Sequence, residues 1–434
     1  MDETTAKAIS PRERGQQEKL ARGLMQTLRD TREDEREAET TLTEAAMVDA
    51  VRARATDIHL DPHGGRYRLR FRIDGVMVDV ADLQHEDGLQ LVNQFRVLAR
   101  LDPVTAMIPD AGHFSYLLDE AALDLRVTVA PCIAGDKLAI RMLAPARMLQ
   151  KVRDLGLAGQ QLELLERWLE TVGGMLLISG PTGSGKTTTL YSLLHQLKMT
   201  DRHIVTLEDP VEYEIPGINQ MRVDVERGLD FAAGAQAMLR LDPDYLVIGE
   251  LTEAGSARAA MNAASGGKAT LSTLHSRDAA DVISVMRNYG LDDFELAANL
   301  QLVVAQRLVR RLCVHCRRQD APGKADVRWL KSLELPVPDS AWTAAGCEQC
   351  NDLGYYGRIG IFEVWRPDDE DYTKILDHRS AHEIRAGLAE REHCFLLEDG
   401  LAKAEQGLVS YSELYSLGAL SARTARQQPT LVAK

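Results

Sequence analysis

The octapeptide GPTGSGKT, Gly180 to Thr187, restricts what this chain can become more than any other stretch of its 434 residues. It fits the pattern Gly-x-x-x-x-Gly-Lys-(Ser/Thr), follows the apolar run Met175 to Ile178 and opens a stretch of helical pattern. The glycines let backbone N–H groups turn inward around an anion. Lys186 then reaches the β and γ phosphates of a nucleotide, and the Thr187 hydroxyl offers an oxygen to magnesium. The expected nucleotide-binding set is Gly180, Pro181, Thr182, Gly183, Ser184, Gly185, Lys186, Thr187 and Thr188. Such a loop needs a strand before it and a helix after it. The apolar segments MLLIS, HIVTLE, YLVIG and ATLSTLH alternate with helical stretches in the way of a largely parallel α/β sheet.

Charged residues at the ends of these strands are the candidates for chemistry. YLVIGE ends in Glu250, placed for a carboxylate that acts on magnesium or on the attacking water. TLEDPVEY offers Glu208, Asp209 and Glu212 for the general-base or water-positioning role. STLHS puts His275 at a strand end, where it either senses a γ phosphate or is simply structural.

Ahead of this domain the hydrophobic period changes. Residues 1 to 40 form a charged arm to which no chemistry is assigned. Thr41 and Glu44 have capping-box spacing before AAMVDAVRARA, so a globular domain begins there. RYRLRFRI alternates Arg66, Arg68, Arg70 and Arg72 with Tyr67, Leu69, Phe71 and Ile73, a half-buried strand running into a turn at Asp74 and Gly75. LDLRVTVA and KLAIRML read as a second hairpin. If it is centred between Ile133 and Ala134, Arg126 and Arg141 stand opposite each other, either converging on one anion or solvated separately. A linker after Ala144 and Pro145 leads to a helix expected from Leu155 to Glu170. The resulting division is an arm at 1–40, an α/β domain at 41–147, the nucleotide domain at 148–424 with a cysteine module at about 307–360, and a tail at 425–434.

Four of the six cysteines form two pairs, Cys313-x-x-Cys316 and Cys347-x-x-Cys350, the spacing of a structural tetrahedral zinc site. Iron–sulfur ligation and redox-active pairs stay open as alternatives. The formal charge of −14 speaks against a general nucleic-acid or anionic-membrane binder. No apolar run approaches the roughly 20 residues that span a bilayer, and the charged N-terminus is unlike a signal peptide, so a cytoplasmic location is expected.

The strings GPTGSGKTTTLY, LEDPVEY, GINQ, LDPDYLVIGE, LSTLH, AQRLVRRLC, GCEQC and GYYGRIGIFE, in that order, resemble the secretion ATPases of type II secretion and type IV pilus assembly. ATDIHLDP and RFRIDG extend the likeness upstream, to roughly residues 43 to 420. The resemblance implies a RecA-like P-loop ATPase domain preceded by a smaller, PAS-like α/β domain, assembled as a homo-hexamer. It implies ATP, magnesium and zinc, and an inner-membrane platform protein as partner, with recruitment to the inner face of the inner membrane. Lys186 and Thr187 match the family's Walker A residues, Glu208 its acidic-box glutamate, Glu250 its Walker B glutamate and His275 its histidine-box residue. Arg126 and Arg141 match its paired N-terminal arginines that reach the nucleotide, and the cysteine module favours the assembling over the retracting direction.

The sequence also departs from that family. Gln236 stands where an arginine is usual, Thr252 and Glu253 replace an Arg-Asp pair, and Lys268 takes the first histidine-box position. TAMIPDAG, ending at Gly112, lacks a further arginine pair. The leading expectation is an ATP-driven motor for a pilus or a secretion pseudopilus. A regulatory nucleotide-binding pseudo-ATPase and a zinc-containing nucleic-acid translocase are the competing readings.

Overall fold

The structure is a computed structural model that describes residues 41–102, 108–118, 121–143, 150–171, 173–198 and 201–420. The charged arm at 1–40, the tail at 425–434 and the start of TAMIPDAG lie outside the described residues. Packing density divides the chain into two compact units. Of the described residues, the first holds those from 41 to 143 with 310–318 and 343–357, and the second those from 150 to 309 with 319–342 and 358–420.

In the first unit, strands β1 (Ala55–His63), β2 (Arg66–Ile73), β3 (Val76–Gln84), β4 (Asp110–Leu118), β5 (Ala121–Cys132) and β6 (Gly135–Leu143) form one sheet of order β3-β2-β1-β6-β5-β4. Every adjacent pair is antiparallel. Alternation along β2 is as the residue pattern demands: Tyr67, Leu69, Phe71 and Ile73 are buried while the arginines face outward. Asp74 and Gly75 both take positive φ, the requirement of a tight two-residue hairpin turn. The helices Leu42–Arg52 and His85–Leu98 pack Ala50, Leu91 and Phe95 into this core, where each fully buried large side chain contributes about 1.5–3 kcal/mol. Thr41 and Glu44 close the expected capping box on the first helix. Gly88 lets the second helix lie against the sheet, since a Cβ there would come 2.3 Å from the Tyr67 ring. The buried Arg96–Asp136 pair, 2.7 Å apart, fastens that helix to the start of β6.

The second unit is a seven-stranded sheet. Its strands are β7 (Gly174–Ser179), β8 (Ile204–Glu208), β9 (Asn219–Arg222), β10 (Tyr245–Ile248), β11 (Ala269–Leu274), β12 (Leu300–Leu312) and, after the short β13 (Arg318–Asp320) and β14 (Ala341–Thr343), β15 (Tyr355–Trp365). The order is β15-β12-β7-β11-β10-β8-β9, and all pairs from β12 to β9 are parallel. Both faces are covered, so the strands are apolar throughout: Met175 and Leu177 of β7 enter one core, Leu176 and Ile178 the other.

The helix expected from Leu155 begins at Gly159 instead, after a short 3-10 turn at Val152–Asp154. Gly156 sits at φ +102°, where a Cβ would meet Ile359 at 2.7 Å, and the Leu155 carbonyl accepts from the Gly360 N–H. Among the described residues no helix is long and apolar enough to cross a membrane.

Sequence reasoning grouped the cysteine module with the nucleotide domain, but the cysteine-bearing segments belong to the first unit. Packing explains this. Leu353 lies against the core of the antiparallel sheet, the Gly357 N–H donates to Asp74 Oδ2 at 3.0 Å, and the Arg54 guanidinium stacks 3.7 Å from the centre of the Tyr356 ring.

Candidate nucleotide site and metal centre

Strand β7 ends in Ser179, and the chain turns through Gly180 to Gly185 before the helix Lys186–Leu197 begins. The turn uses its glycines. Gly180, Gly183 and Gly185 have φ of +150°, +78° and +91°, and a Cβ on Gly180 would lie 2.5 Å from the Gln306 carbonyl oxygen. The first N–H groups of the helix have no partner within it and face the turn, which makes an anion cradle. Ser184 Oγ is buried and without a partner among the described residues, so one further donor remains inside the loop. Pro181, Thr182 and Thr187 are exposed and Thr188 is half-buried.

Lys186 is buried, and its ammonium is held at the mouth of the loop. Nζ donates to the Gly180 carbonyl at 2.9 Å, lies 3.2 Å from His275 Nδ1 and stands 3.9 Å from Glu250 Oε1. Burial holds its pKa below the ordinary lysine value, opposed by the Glu250 carboxylate and aided by the Arg307 guanidinium. A phosphate at the loop would relieve that desolvation by supplying negative charge.

Glu250 follows β10, and His275 follows β11, the neighbouring strand. Parallel pairing brings both strand ends to the same edge, and His275 Nε2 lies 2.7 Å from Glu250 Oε1. Nδ1 lies 3.0 Å from the Gly180 carbonyl as well as 3.2 Å from Lys186 Nζ, so it donates to that carbonyl when it carries a proton and accepts from Lys186 when it does not. Lys186, Glu250 and His275 thus form one chain of contacts. The Glu250 carboxylate and the Thr187 hydroxyl are hard oxygen ligands open to solvent, a donor set that suits magnesium.

Glu208 is placed differently. It is buried at the end of β8 and accepts from Thr206 Oγ1 at 2.6 Å, Gln220 Nε2 at 3.1 Å and the Tyr191 hydroxyl. Tyr191 in turn accepts from the Glu212 N–H at 3.0 Å. Burial and the Glu208 charge push the Tyr213 hydroxyl up to about 12 and raise Tyr191 as well.

Sequence reasoning missed Gln306 of β12. Its side chain is buried, donates to the Ser184 carbonyl at 2.8 Å and accepts from Thr189 Oγ1 at 2.8 Å. A lone glutamine inside the apolar run LQLVVAQRL was the available signal, because a buried amide must find partners.

Arg126 and Arg141 belong to the first unit and face each other in register across β5 and β6, as the turn position requires. Arg141 contacts Asp57 at 3.4 Å.

Cys313, Cys316, Cys347 and Cys350 converge, with all four sulfurs within 4.8 Å of one another. Three sulfur pairs are 3.7, 3.8 and 3.9 Å apart. Tetrahedral thiolates about 2.3 Å from a zinc ion would be roughly 3.8 Å apart, so the donor set fits. Burial, together with neighbouring thiols, pushes the Cys316 thiol up to about 12, and a cation would be needed to hold four thiolates together. The Gly354 and Cys347 N–H groups already donate to the Cys350 sulfur.

Over residues 31–416 the chain matches the family described as Type II/IV secretion system protein. It is 34% identical over 376 residues to the Type II secretion system protein E of Klebsiella pneumoniae, covering 86% of this chain and 74% of that one. It is 36% identical over 375 residues to the Type IV pilus assembly ATPase PilB of Acinetobacter baylyi, covering 85% and 64%. With the Protein transport protein HofB homolog of Escherichia coli it shares 35% over 401 residues, 92% and 86% of the two chains. Among solved structures it is similar to the ATPase DotB of Legionella pneumophila, with a TM-score of 0.63 at 19% identity over 88% of this chain and 96% of that one. The pilus retraction motor PilT with bound ADP gives a TM-score of 0.58 at 22% identity, over 90% and 98%. These two likenesses concern the fold, an α/β ATPase fold with a parallel sheet.

Proposed function

Because the chain belongs to the family of Type II/IV secretion system proteins, we propose that it hydrolyses ATP to drive type IV pilus assembly or extension of a type II secretion pseudopilus. The observation that carries this reading is the convergence of Lys186, Glu250 and His275 at the mouth of the phosphate loop. In this proposal the loop Gly180–Thr188 binds the triphosphate and Lys186 neutralises its β and γ oxygens. Thr187 and Glu250 hold magnesium, which supplies charge neutralisation when bound. Glu250 or Glu208 orients the attacking water, and His275 reports the state of the γ phosphate through its contact with Glu250.

The same reading makes the chain a homo-hexamer at the cytoplasmic face of the inner membrane, working on a platform protein there. The smaller unit is read as PAS-like, contributing Arg126 and Arg141 to a nucleotide, and the four cysteines as a structural zinc site. The test is phosphate release by the purified chain with magnesium, with excess chelator, and in Lys186→Ala. Magnesium-dependent release lost in the variant is expected. Release that survives Lys186→Ala overturns the site, and binding without any release points to the regulatory pseudo-ATPase.

A further inference from the structure

Strand β11 ends at Leu274, and His275 to Ala280 cross to the helix Asp281–Asn288 without helix or strand. A connection of this kind is ordinarily the loosest part of a fold. This one is tied down from within and from outside. Within it, Ser276 Oγ donates to the Asp278 carbonyl at 2.8 Å, the Arg277 N–H to Asp281 Oδ2 at 3.1 Å and the Asp281 N–H to Asp278 Oδ1 at 2.9 Å. From outside come two arginines of distant elements. Arg307 of β12 donates through one terminal nitrogen to the Gln306 carbonyl at 2.8 Å and through the other to the Arg277 carbonyl. Because β12 and β11 flank β7 on opposite sides, that side chain reaches across the end of β7, where the phosphate loop starts. Arg385, on the helix Ala381–Glu390, donates to Asp278 Oδ2, a carboxylate only 2% exposed. Burial and the nearby Glu363 carboxylate push the Asp278 pKa up, and the Arg385 guanidinium opposes them.

We propose that Arg307 and the Asp278–Arg385 pair are positioning residues for His275. They fix the backbone just beyond it, so that one ring meets Glu250 at 2.7 Å, the Gly180 carbonyl at 3.0 Å and Lys186 at 3.2 Å. The inference rests on the proposed part of His275 at the γ phosphate, and requires none of the three to touch nucleotide. An arginine whose fork holds two main-chain carbonyls fixes backbone, and a buried carboxylate clamped by an N–H and a guanidinium fixes it again three residues after the ring. Contacts of hydrogen-bond length fail within about 1 Å of displacement, so a slack connection would lose all three at once.

Two readouts on the full-length chain test this: carbethoxylation of His275, followed by peptide mass spectrometry, and phosphate release beside ADP affinity. Arg307→Gln keeps one amide donor but loses the fork. Asp278→Asn with Arg385→Gln removes both charges together, so neither is left buried and alone. In both variants His275 is expected to react severalfold faster than in the wild type, with the other histidines unchanged. kcat should fall by at least about tenfold, as a displaced active-site group costs, while KM and ADP affinity stay within about twofold. Unchanged labelling of His275 overturns the proposal. So does a loss of ADP affinity in step with kcat, which would make these residues supports of the phosphate loop. A wild-type chain that releases no phosphate overturns the proposed function instead, and labelling still decides whether the ring is held by Arg307 and Arg385.

Discussion

Gln306 Nε2 donates to the Ser184 carbonyl at 2.8 Å, and through this bond strand β12 holds the phosphate loop from outside the loop's own sequence. Its Oε1 accepts from Thr189 in the following helix, so one buried amide ties the end of the turn to the helix it opens. Gln306→Leu keeps the volume but leaves a carbonyl and a hydroxyl without partners, each costing about 1–3 kcal/mol. The expected result is a drop of at least about 2 kcal/mol in the stability of the nucleotide unit, read by urea unfolding, with weaker ATP binding. Unchanged binding and stability would show that the loop is held by its glycines alone.

Glu250 contacts both His275 and Lys186, so its charge matters to two neighbours. In Glu250→Gln the amide keeps the size and can still meet His275, but it neither neutralises magnesium nor polarises water as a carboxylate does. Nucleotide binding should persist while turnover falls by about 10²-fold or more. Fluorescent-nucleotide titration beside phosphate release separates the two. Loss of binding would make Glu250 a structural support of the loop.

The cysteine cluster predicts a coupled loss. The segments bearing Cys313 and Cys347 pack within the smaller unit, through Leu353 and the Gly357–Asp74 bond. Cys313→Ser with Cys347→Ser should remove the metal and lower the stability of that unit, because structural zinc supplies folding energy. ATP binding at Lys186 should remain. Metal analysis of wild-type protein prepared without chelator should give about one zinc per chain. A clearly lower content counts against a tetrathiolate site.

How far the sequence could be read depended on whether a property was local. Gly180 to Thr187 carries its conformation in its glycines, the alternation in RYRLRFRI sets the buried face of β2, and Asp74-Gly75 dictates its own turn. The register of Arg126 against Arg141 follows from one turn position. Contacts made by distant segments were out of reach. The helix start at Gly159 is set by Ile359 and Gly360, some two hundred positions away, and the grouping of the cysteines depends on Leu353 and Asp74. The three donors to Glu208 come from Tyr191, Thr206 and Gln220, which no spacing rule brings together.

Residues that depart from the family pattern give the last prediction. Lys268 has a local partner, Asp242 Oδ1 at 2.9 Å, which ties the start of β11 to the turn before β10. Gln236 and Thr252 are exposed, on the helix Phe231–Leu239 and just after Glu250. An arginine at either position would act through charge contacts that glutamine and threonine do not make. A guanidinium brings a planar fork of donors with a fixed positive charge, and neither an amide nor a hydroxyl reproduces it. The isolated protein should therefore hydrolyse ATP slowly and be stimulated on assembly, where preorganisation of the site improves. Gln236→Arg with Thr252→Arg should raise basal turnover or stabilise the oligomer, measured by phosphate release and by sedimentation. An unchanged rate together with unchanged assembly would show that both substitutions are neutral.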